Sequence, residues 1–368
     1  MMKRFKILWF NWRCWLNPEM GGAEVFTREV AKRWAETGHE ITLFTSEFRG
    51  CEKEEVADGI NIVRSGGRIS VYHQAKKVYS KRFKKEGFDI VIDEINTVPF
   101  FAPKFVKNNE KVIALIHQLA KEYWFYETPF PISYLGYHIL ENNWLKQYLS
   151  VPTVTVSEST RADLAELGFK HIFVVPEGLN FEPLKAVPLK DNKPIMVYAG
   201  RLKRAKRPDH AVKAFEIVKT KISGAELWIL GDGPLKRRLR GMTDGNVRFF
   251  SGLGDAQRRD LIGRAWVLVN PGVREGWGLN IVEANALGTP AVAYDVRGLR
   301  DSVKDNETGL LAKAGNVEDL AEKTITLLKD VDLRRMLSKN ALMYSAEFNW
   351  NKTAKYFMNI IEATFNER

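Results

Sequence analysis

The sequence predicts an α/β fold with two doubly wound domains in tandem, followed by a helical C-terminus. The chain has 368 residues, which suits two domains of roughly 150–200 residues better than one core. Short apolar runs alternate with helical patterns, as they do in the βα units of parallel sheets. This alternation stops at a segment with three prolines (180–194), which we interpret as a linker, and then restarts.

The elements follow in order along the chain. The first half contains helical patterns over 24–37 and 158–167, and its apolar runs predict strands at 5–11, 40–46, 88–93, 111–117, 152–157 and 172–176. In the second half we predict strands at 195–200, 225–231, 246–252, 266–271 and 290–295, and only helices from 316 onward. Since ligands bind at the carboxyl ends of strands in open α/β sheets, the residues after these strands are the candidates for function.

Composition excludes several classes of protein. Only two cysteines occur, Cys14 and Cys51, so a disulfide framework or a thiolate metal site is excluded. The N-terminus is interrupted by Asn11 and Arg13 too early for a signal peptide, and no apolar run approaches the roughly 18 residues of a membrane span. We therefore expect a cytoplasmic protein.

Charge is distributed unevenly between the two halves. The formal net charge is +11, and nearly all of it lies after residue 183. The second half is thus expected to attract an anion. Nucleic acid is not expected, because the chain has no zinc-finger or RNA-binding signature, which leaves a small phosphorylated ligand.

The segment after the predicted strand 195–200 is strongly basic. It contains five cationic residues, which are Arg201, Lys203, Arg204, Lys206 and Arg207. Pro208 suits the first turn of a following helix, whose free N–H groups favour an anion. A solvated basic turn is the alternative, but five cations at the positive end of a helix repel one another and the helix dipole. We therefore favour a phosphate site.

Two weaker signals follow strands in the first half. Gly21 and Gly22 stand between the first strand and the first helix, where paired glycines let backbone N–H groups approach a phosphate. They lack the G-x-G-x-x-G spacing, and a simple turn explains them equally well. His117 ends the strand 111–117, so that a structural histidine and a residue facing a cleft are both open interpretations.

The segment 274–290, REGWGLNIVEANALGTP, places Glu275 and Glu283 eight positions apart around a glycine-rich loop. One interpretation is local: Asn280 caps a helix over 281–287, Glu283 is its capping-box partner, and Gly288 with Pro290 ends it. On that interpretation only Glu275 needs a function.

Taken together, these motifs resemble glycosyltransferase family 4, the retaining nucleotide-sugar transferases of GT-B fold. The resemblance runs in order through 21–45, 153–164, 200–206, 275–293 and 348–354. It implies an acceptor-binding Rossmann-like domain over 1–183, a nucleotide-sugar-binding domain over 184–347 that faces it across a cleft, and a C-terminal helix over 348–368 that returns to the first domain.

The resemblance also implies site residues and a mechanism. Arg201 and Lys206 would hold the donor diphosphate in place of a metal, Glu275 would hold the donor sugar, and His117 would contact the transferred sugar. The further donor-binding residues would be Gly21, Gly22, Gly200, Gly252, Leu253, Gly276, Trp277, Gly278, Leu279 and Glu283, the last of these at the ribose. The configuration of the transferred sugar would be retained, because the acceptor would attack from the same face that the phosphate leaves. The departing phosphate would take the acceptor proton.

This sequence departs from the family pattern at three places. It has PEGLN at 176–180 where the family has PNG(I/V)D, Gly272 where it has serine, and Arg207 where it has glycine. These positions bear on the acceptor and on the shape of the loops. A nucleotide-sugar epimerase, a phosphorylase of related fold and a non-catalytic sugar-nucleotide binding protein remain the alternative functions.

The sequence leaves the acceptor open between a glycan and a lipid-linked molecule. Aromatic residues are dense over 122–149, which suits a surface that stacks on sugars or faces lipid, or else an ordinary core. The segment 75–85 is basic and amphipathic, with Ala75, Val78, Tyr79 and Phe83 on one face. An anionic membrane surface is therefore a candidate partner for this segment, and a solvated helix is the alternative.

Overall fold

The computed structural model describes residues 3–366 of the chain. The described residues divide into two compact units. Unit 1 comprises the chain up to Lys121, Tyr134–Gly178 and the chain from Asn349 on, while unit 2 comprises Glu122–Ser133 and Leu179–Phe348. The C-terminal segment thus belongs to unit 1, as predicted, and a short segment within the first half belongs to unit 2.

Unit 1 is built on an eight-stranded sheet, whose strands are β1 (Lys6–Phe10), β2 (Glu40–Thr45), β3 (Glu54–Ala57), β4 (Ile60–Arg64), β5 (Ile90–Glu94), β6 (Lys111–Ile116), β7 (Thr153–Thr155) and β8 (Ile172–Val174). Their order in the sheet is β3-β4-β2-β1-β5-β6-β7-β8, and every neighbouring pair except β3 and β4 is parallel. All six predicted strands of the first half are present. The hairpin of β3 and β4 was not predicted, because its first strand is short and partly exposed.

Unit 2 contains a parallel six-stranded sheet, formed by β9 (Ile195–Ala199), β10 (Glu226–Leu230), β11 (Val247–Phe250), β12 (Val267–Asn270), β13 (Ala291–Tyr294) and β14 (Gly309–Ala312). The order is β11-β10-β9-β12-β13-β14. The central strand β9 is buried along its whole length, which explains its unbroken apolar sequence. The five predicted strands are confirmed, and β14, a short strand at the edge of the sheet, was not predicted.

The helices connect these strands and cover both sheets. They are α1 (Gly22–Glu36), α2 (Val71–Val78), α3 (Lys84–Glu86), α4 (Tyr123–Glu127), α5 (Ile132–Leu135), α6 (Glu141–Leu145), α7 (Glu158–Glu166), α8 (Pro208–Lys221), α9 (Lys236–Arg240), α10 (Asp255–Arg264), α11 (Leu279–Ala286), α12 (Leu299–Ser302), α13 (Val317–Lys329), α14 (Val331–Ser345) and α15 (Trp350–Asn366). Single 3-10 turns occur at Ala102–Lys104, Lys146–Tyr148 and Arg204–Lys206, and π-helical turns at Tyr79–Phe83 and Gly136–Leu140. The helical end of the chain is thus confirmed.

The C-terminal helix α15 packs on α1 in unit 1. The indole of Trp34 on α1 donates from its Nε1 to the carbonyl of Ala354 at 2.9 Å, and its ring lies 5.1 Å from that of Phe357. At the start of α15, Trp350 lies so close to Gly178 that a Cβ added at Gly178 would come within 2.7 Å of the Trp350 ring. The predicted return of this helix to the first domain is confirmed.

The basic amphipathic segment forms one helical stretch through α2, the π-helical turn and α3. The residues of its apolar face, Ala75, Tyr79 and Phe83, are fully buried in the core of unit 1, and Val78 packs against that core. The hypothesis of a lipid contact through this apolar face is therefore wrong. Lys77, Lys81, Lys84 and Lys85 remain exposed on the outer side.

The aromatic segment 122–149 is partly core and partly surface. Trp124, Leu145 and Tyr148 are buried, whereas its exposed apolar side chains are Phe125, Phe130, Ile132, Tyr134, Leu135 and Ile139. The segment is therefore neither a core throughout nor an exposed aromatic surface throughout. Among the described residues, no helix is long and apolar enough to span a membrane.

Candidate functional site

The basic turn of unit 2 begins where the central strand β9 ends. Gly200 donates from its backbone N–H to the carbonyl of Leu230, which ties the turn to the next strand at 3.0 Å. Arg201 and Lys206 are both half-buried, and Lys206 closes the 3-10 turn. Pro208 is the first residue of α8, as predicted. The turn therefore presents its cations at the carboxyl edge of the sheet.

Lys206 and Glu275, two predicted catalytic residues, contact each other directly. The Nζ of Lys206 donates to both carboxylate oxygens of Glu275 at 2.5 Å. Burial alone would lower the pKa of Lys206, but Glu275 and then Tyr123 outweigh it and hold that pKa above its usual value. Lys206 is consequently a permanent cation, paired with the carboxylate that the resemblance places at the donor sugar.

Backbone contacts hold the glycine-rich loop after β12. Gly272 donates from its N–H to the side chain of Asn270 at 3.0 Å, and Glu275 donates from its N–H to the carbonyl of Arg297 at 3.1 Å. Gly298 lies directly against the Glu275 carbonyl, where no Cβ would fit. The indole of Trp277 is buried against Phe348, with 5.2 Å between ring centres, so this side chain is part of the packed interior of unit 2.

The helix after the loop begins two residues earlier than predicted. Gly278, in the left-handed conformation with φ of 84°, is its N-cap, and α11 starts at Leu279. The prediction that Asn280 caps the helix is wrong, because its side chain donates to the Ala199 carbonyl at 2.8 Å and accepts from Asn270 at 3.1 Å. The predicted end is confirmed, since Gly288 adopts a positive φ of 66°.

Glu283 lies on α11, and its partner in the structure is a basic residue rather than the helix end. The Nη1 of Arg258, on α10, donates to the Glu283 carboxylate at 2.6 Å. The capping-box interpretation of Glu283 is therefore wrong. Gly252 and Leu253 follow β11; Gly252 has a positive φ of 67°, and Leu253 packs against the core.

In unit 1, the glycine pair stands at the N-terminus of α1. Gly21 is the N-cap, and its backbone N–H donates to the Glu24 side chain at 2.5 Å. Glu24 is buried and also accepts from Arg13 at 3.1 Å. This arrangement leaves Gly22 as the first residue of a 15-residue helix, where free N–H groups favour an anion.

His117 lies between two buried carboxylates of unit 1. Its Nε2 is 3.2 Å from Glu94 Oε1, and its Nδ1 is 3.4 Å from Glu177 Oε1. Glu94 also accepts from Trp9 Nε1 at 2.7 Å and from Thr27 Oγ1 at 2.6 Å. Burial would lower the pKa of His117, but Glu177 and Glu94 outweigh it and raise this pKa to about 9. The imidazole is therefore charged at neutral pH.

Glu177 also lies beside the glycine pair. A Cβ placed on Gly22 would be 3.9 Å from Glu177 Oε2, so Gly22, His117 and Glu177 form one cluster. Glu177 is the second residue of PEGLN, where the sequence departs from the family pattern. Nothing in the sequence pattern connects this departure with His117, and no motif marks Arg258 or Glu94, an acid at the carboxyl end of β5.

Among residues 3–366, no group of three or more His, Cys, Asp or Glu side chains is arranged to hold a metal ion. The predicted site residues fall into two groups. Gly21, Gly22 and His117 belong to unit 1, and the rest belong to unit 2, where Lys206 and Glu275 form a direct ion pair.

Comparison with solved structures gives the fold. The chain matches sucrose-phosphate synthase from Thermosynechococcus elongatus with a TM-score of 0.81 and 19% identity, covering 99% of this chain and 100% of that one. It also matches Anabaena HepE, solved with UDP and glucose, with a TM-score of 0.72, 13% identity and coverage of 98% and 100%. The protein therefore has the GT-B fold of two Rossmann-like domains.

The family follows from sequence models of the two halves. The model of Glycosyltransferase Family 4 matches residues 20–182, and the model of Glycosyl transferases group 1 matches residues 181–343. The chain belongs to this family of glycosyltransferases. A curated relative, the D-inositol 3-phosphate glycosyltransferase of Paenarthrobacter aurescens, is 32% identical over 174 residues, which are 43% of this chain and 41% of the relative. The chain spans less than half the length of the first curated relatives that it matches.

Proposed function

We propose that this protein is a retaining hexosyltransferase, which moves a sugar from a nucleoside diphosphate sugar to a glycan or lipid-linked acceptor. The observation that carries the proposal is the ion pair between Lys206 on the basic turn and Glu275 on the glycine-rich loop. A permanent cation there meets the leaving diphosphate, and a carboxylate beside it accepts hydrogen bonds from sugar hydroxyls. A complex of UDP and glucose with HepE, a protein of this fold, supports the same class of donor.

In the proposed reaction the donor replaces the contact between Lys206 and Glu275. Diphosphate oxygens take the hydrogen bonds of Lys206 and contact Arg201, so that both cations stabilise the charge that develops on the leaving phosphate. Since two cations supply this stabilisation, the proposal requires no metal. The acceptor attacks on the face that the diphosphate leaves, and a phosphate oxygen takes its proton.

Unit 1 supplies a second set of groups in the proposal. Gly21 and Gly22 offer backbone N–H groups to the donor phosphate at the start of α1, and the charged His117 contacts the transferred sugar. In unit 2, Glu283 accepts from the ribose hydroxyls while it keeps its contact with Arg258, because a carboxylate can accept about four hydrogen bonds. Gly252 and Leu253 contact the base through their backbone.

Binding and turnover test the proposal directly. We expect UDP-, GDP- or ADP-glucose to raise the melting temperature, since a ligand at 100 times its Kd adds about 2.7 kcal/mol. Release or transfer of the sugar should persist in EDTA and disappear in Arg201→Ala. Turnover of the donor to an epimer without an acceptor, a requirement for free phosphate, or binding without any turnover would contradict the proposal in favour of the three alternatives.

A lipid-linked acceptor would bring the protein to the inner membrane surface, and the exposed lysines of 75–85 suit such a surface by charge alone. Each lysine near an anionic bilayer contributes about 1 kcal/mol. We expect the protein to float with anionic vesicles at low salt. Flotation should be lost in about 0.5 M NaCl, because salt screens the attraction between the lysines and the lipid. It should also be lost in Lys81→Glu/Lys84→Glu/Lys85→Glu. No flotation of the wild-type protein would contradict this membrane contact.

A further inference from the structure

A short segment of the chain, Glu122–Glu127, lies on the basic turn of unit 2, and we call it the strap. It consists of α4 and the residue before it. Glu122 accepts from the Nε of Arg274 at 2.6 Å, and the hydroxyl of Tyr126 accepts from the Nη1 of Arg207 at 2.9 Å. Residues on the glycine-rich loop and on the basic turn thus hold the strap at two points.

Arg207 makes its contact from a backbone conformation that favours glycine. Its φ is 49° and its ψ is 44°, in the left-handed region that a residue with a Cβ adopts at a cost. The family pattern has glycine at this position. The guanidinium donates to Tyr126 and contacts His210, whose pKa is lowered to about 4 by burial and by Arg207, so that the imidazole is neutral and accepts. The departure from glycine therefore adds a contact with the strap.

Between the two anchors, the strap directs Tyr123 at the proposed donor site. The Nζ of Lys206 lies 5.8 Å from the centre of the Tyr123 ring. The Tyr123 hydroxyl is buried, and within residues 3–366 it makes no well-aligned hydrogen bond. Burial and the charge of Glu275 raise the pKa of this hydroxyl, so it keeps its proton and can donate. Buried hydroxyls without a partner are uncommon in folded proteins.

We propose that Tyr123 is a further donor-binding residue, whose hydroxyl donates to a diphosphate oxygen beside Lys206, and that Arg207 positions it through Tyr126. The inference rests on the proposed function. An anion bound at Lys206 brings an acceptor oxygen to the Tyr123 hydroxyl. This contact explains why a tyrosine rather than a phenylalanine lies at this position. When the diphosphate binds, Lys206 and Tyr123 share its oxygens, and Glu275 is released toward the sugar.

Titration calorimetry with UDP, GDP and ADP tests the inference in Tyr123→Phe. We expect the Kd of the nucleotide that binds the wild-type protein to rise 10- to 100-fold, the range for losing a hydrogen bond to a charged group. The melting temperature of the free variant should change little, because within residues 3–366 the hydroxyl that is removed makes no well-aligned hydrogen bond. Tyr356→Phe, at an exposed tyrosine of α15, is the matched control and should bind as the wild-type protein does.

Tyr126→Phe and Arg207→Gly test the positioning role. Each single change should raise the Kd of that nucleotide by roughly 3- to 10-fold. The double variant should bind the nucleotide as tightly as Arg207→Gly does, because both changes break the same contact between Arg207 and Tyr126. An unchanged Kd in Tyr123→Phe, with binding by the wild-type protein, overturns the inference alone. Absence of binding by the wild-type protein to all three nucleotides overturns the proposed function and this inference with it.

Discussion

Replacing Lys206 by methionine should lower the rate of sugar transfer by about 100- to 1,000-fold, which is the usual cost of removing one group that stabilises developing charge. Methionine keeps most of the volume of the lysine stem and removes only the cation. The same change leaves the Glu275 carboxylate, whose side chain is 15% exposed, without the partner that holds it at 2.5 Å. We therefore also expect a lower melting temperature.

The double variant Lys206→Met/Glu275→Gln separates the two effects. With both charges removed, the melting temperature should recover, because no unpaired carboxylate remains. Transfer should stay as low as in Lys206→Met. Lys221→Met, an exposed position in the last turn of α8, is the control and should keep wild-type activity. Recovery of transfer together with stability would show that Lys206 acts only through the folded structure.

Replacing Glu177 by asparagine or glutamine should lower the pKa of His117 from about 9 toward its ordinary value near 6.5. Glu177 is the first of the two carboxylates that raise this pKa, and Glu94 remains in both variants. A pKa raised on folding stabilises the protein fully below the unfolded value of about 6.5, and this stabilisation is lost as the pH rises through 9. At about 1.4 kcal/mol per pKa unit, its size is roughly 3 kcal/mol.

Unfolding in urea between pH 6 and 10 measures the effect. The wild-type protein should lose this stabilisation between pH 6.5 and 9, and Glu177→Gln should show a flatter dependence. The ring proton signals of the six histidines give a direct titration, with His117→Gln to assign the resonance. His73→Gln, at an exposed histidine, is the control and should leave the pH dependence unchanged. A ring of His117 that titrates near 6.5 in the wild-type protein would contradict the two-carboxylate explanation.

Much of the fold was open to prediction because it depends on local patterns. Several buried strands, such as β1, β6 and β9, carry apolar runs, and Pro208 and Gly288 mark helix ends through their own backbone preferences. The strands that were missed, β3, β4 and β14, lie toward the edges of the sheets. No residue of β3 is buried, so its sequence has no apolar run that would mark the hairpin.

The candidate site was predictable in position but not in its partners. Ligands bind at the carboxyl ends of strands in open α/β sheets, and this rule alone could select Arg201, Glu275 and His117. The partners of Glu283 and Asn280 could not be predicted. The local sequence pattern favours helix capping, whereas in the folded protein Glu283 contacts Arg258 and Asn280 donates to the Ala199 carbonyl. Similarly, the apolar face of 75–85 has the same sequence signature whether it meets lipid or the core.

Residues that are close along the chain carry the α/β class, the two domains, the cationic turn and the family resemblance, so these could be predicted. The folded structure was needed to establish which distant side chains contact each other. Glu177 lies 60 positions from His117 and Glu275 lies 69 from Lys206, and the two strap anchors join residues 81 and 152 positions apart. Such contacts leave no local pattern, because their energies depend on burial and distance in the folded protein.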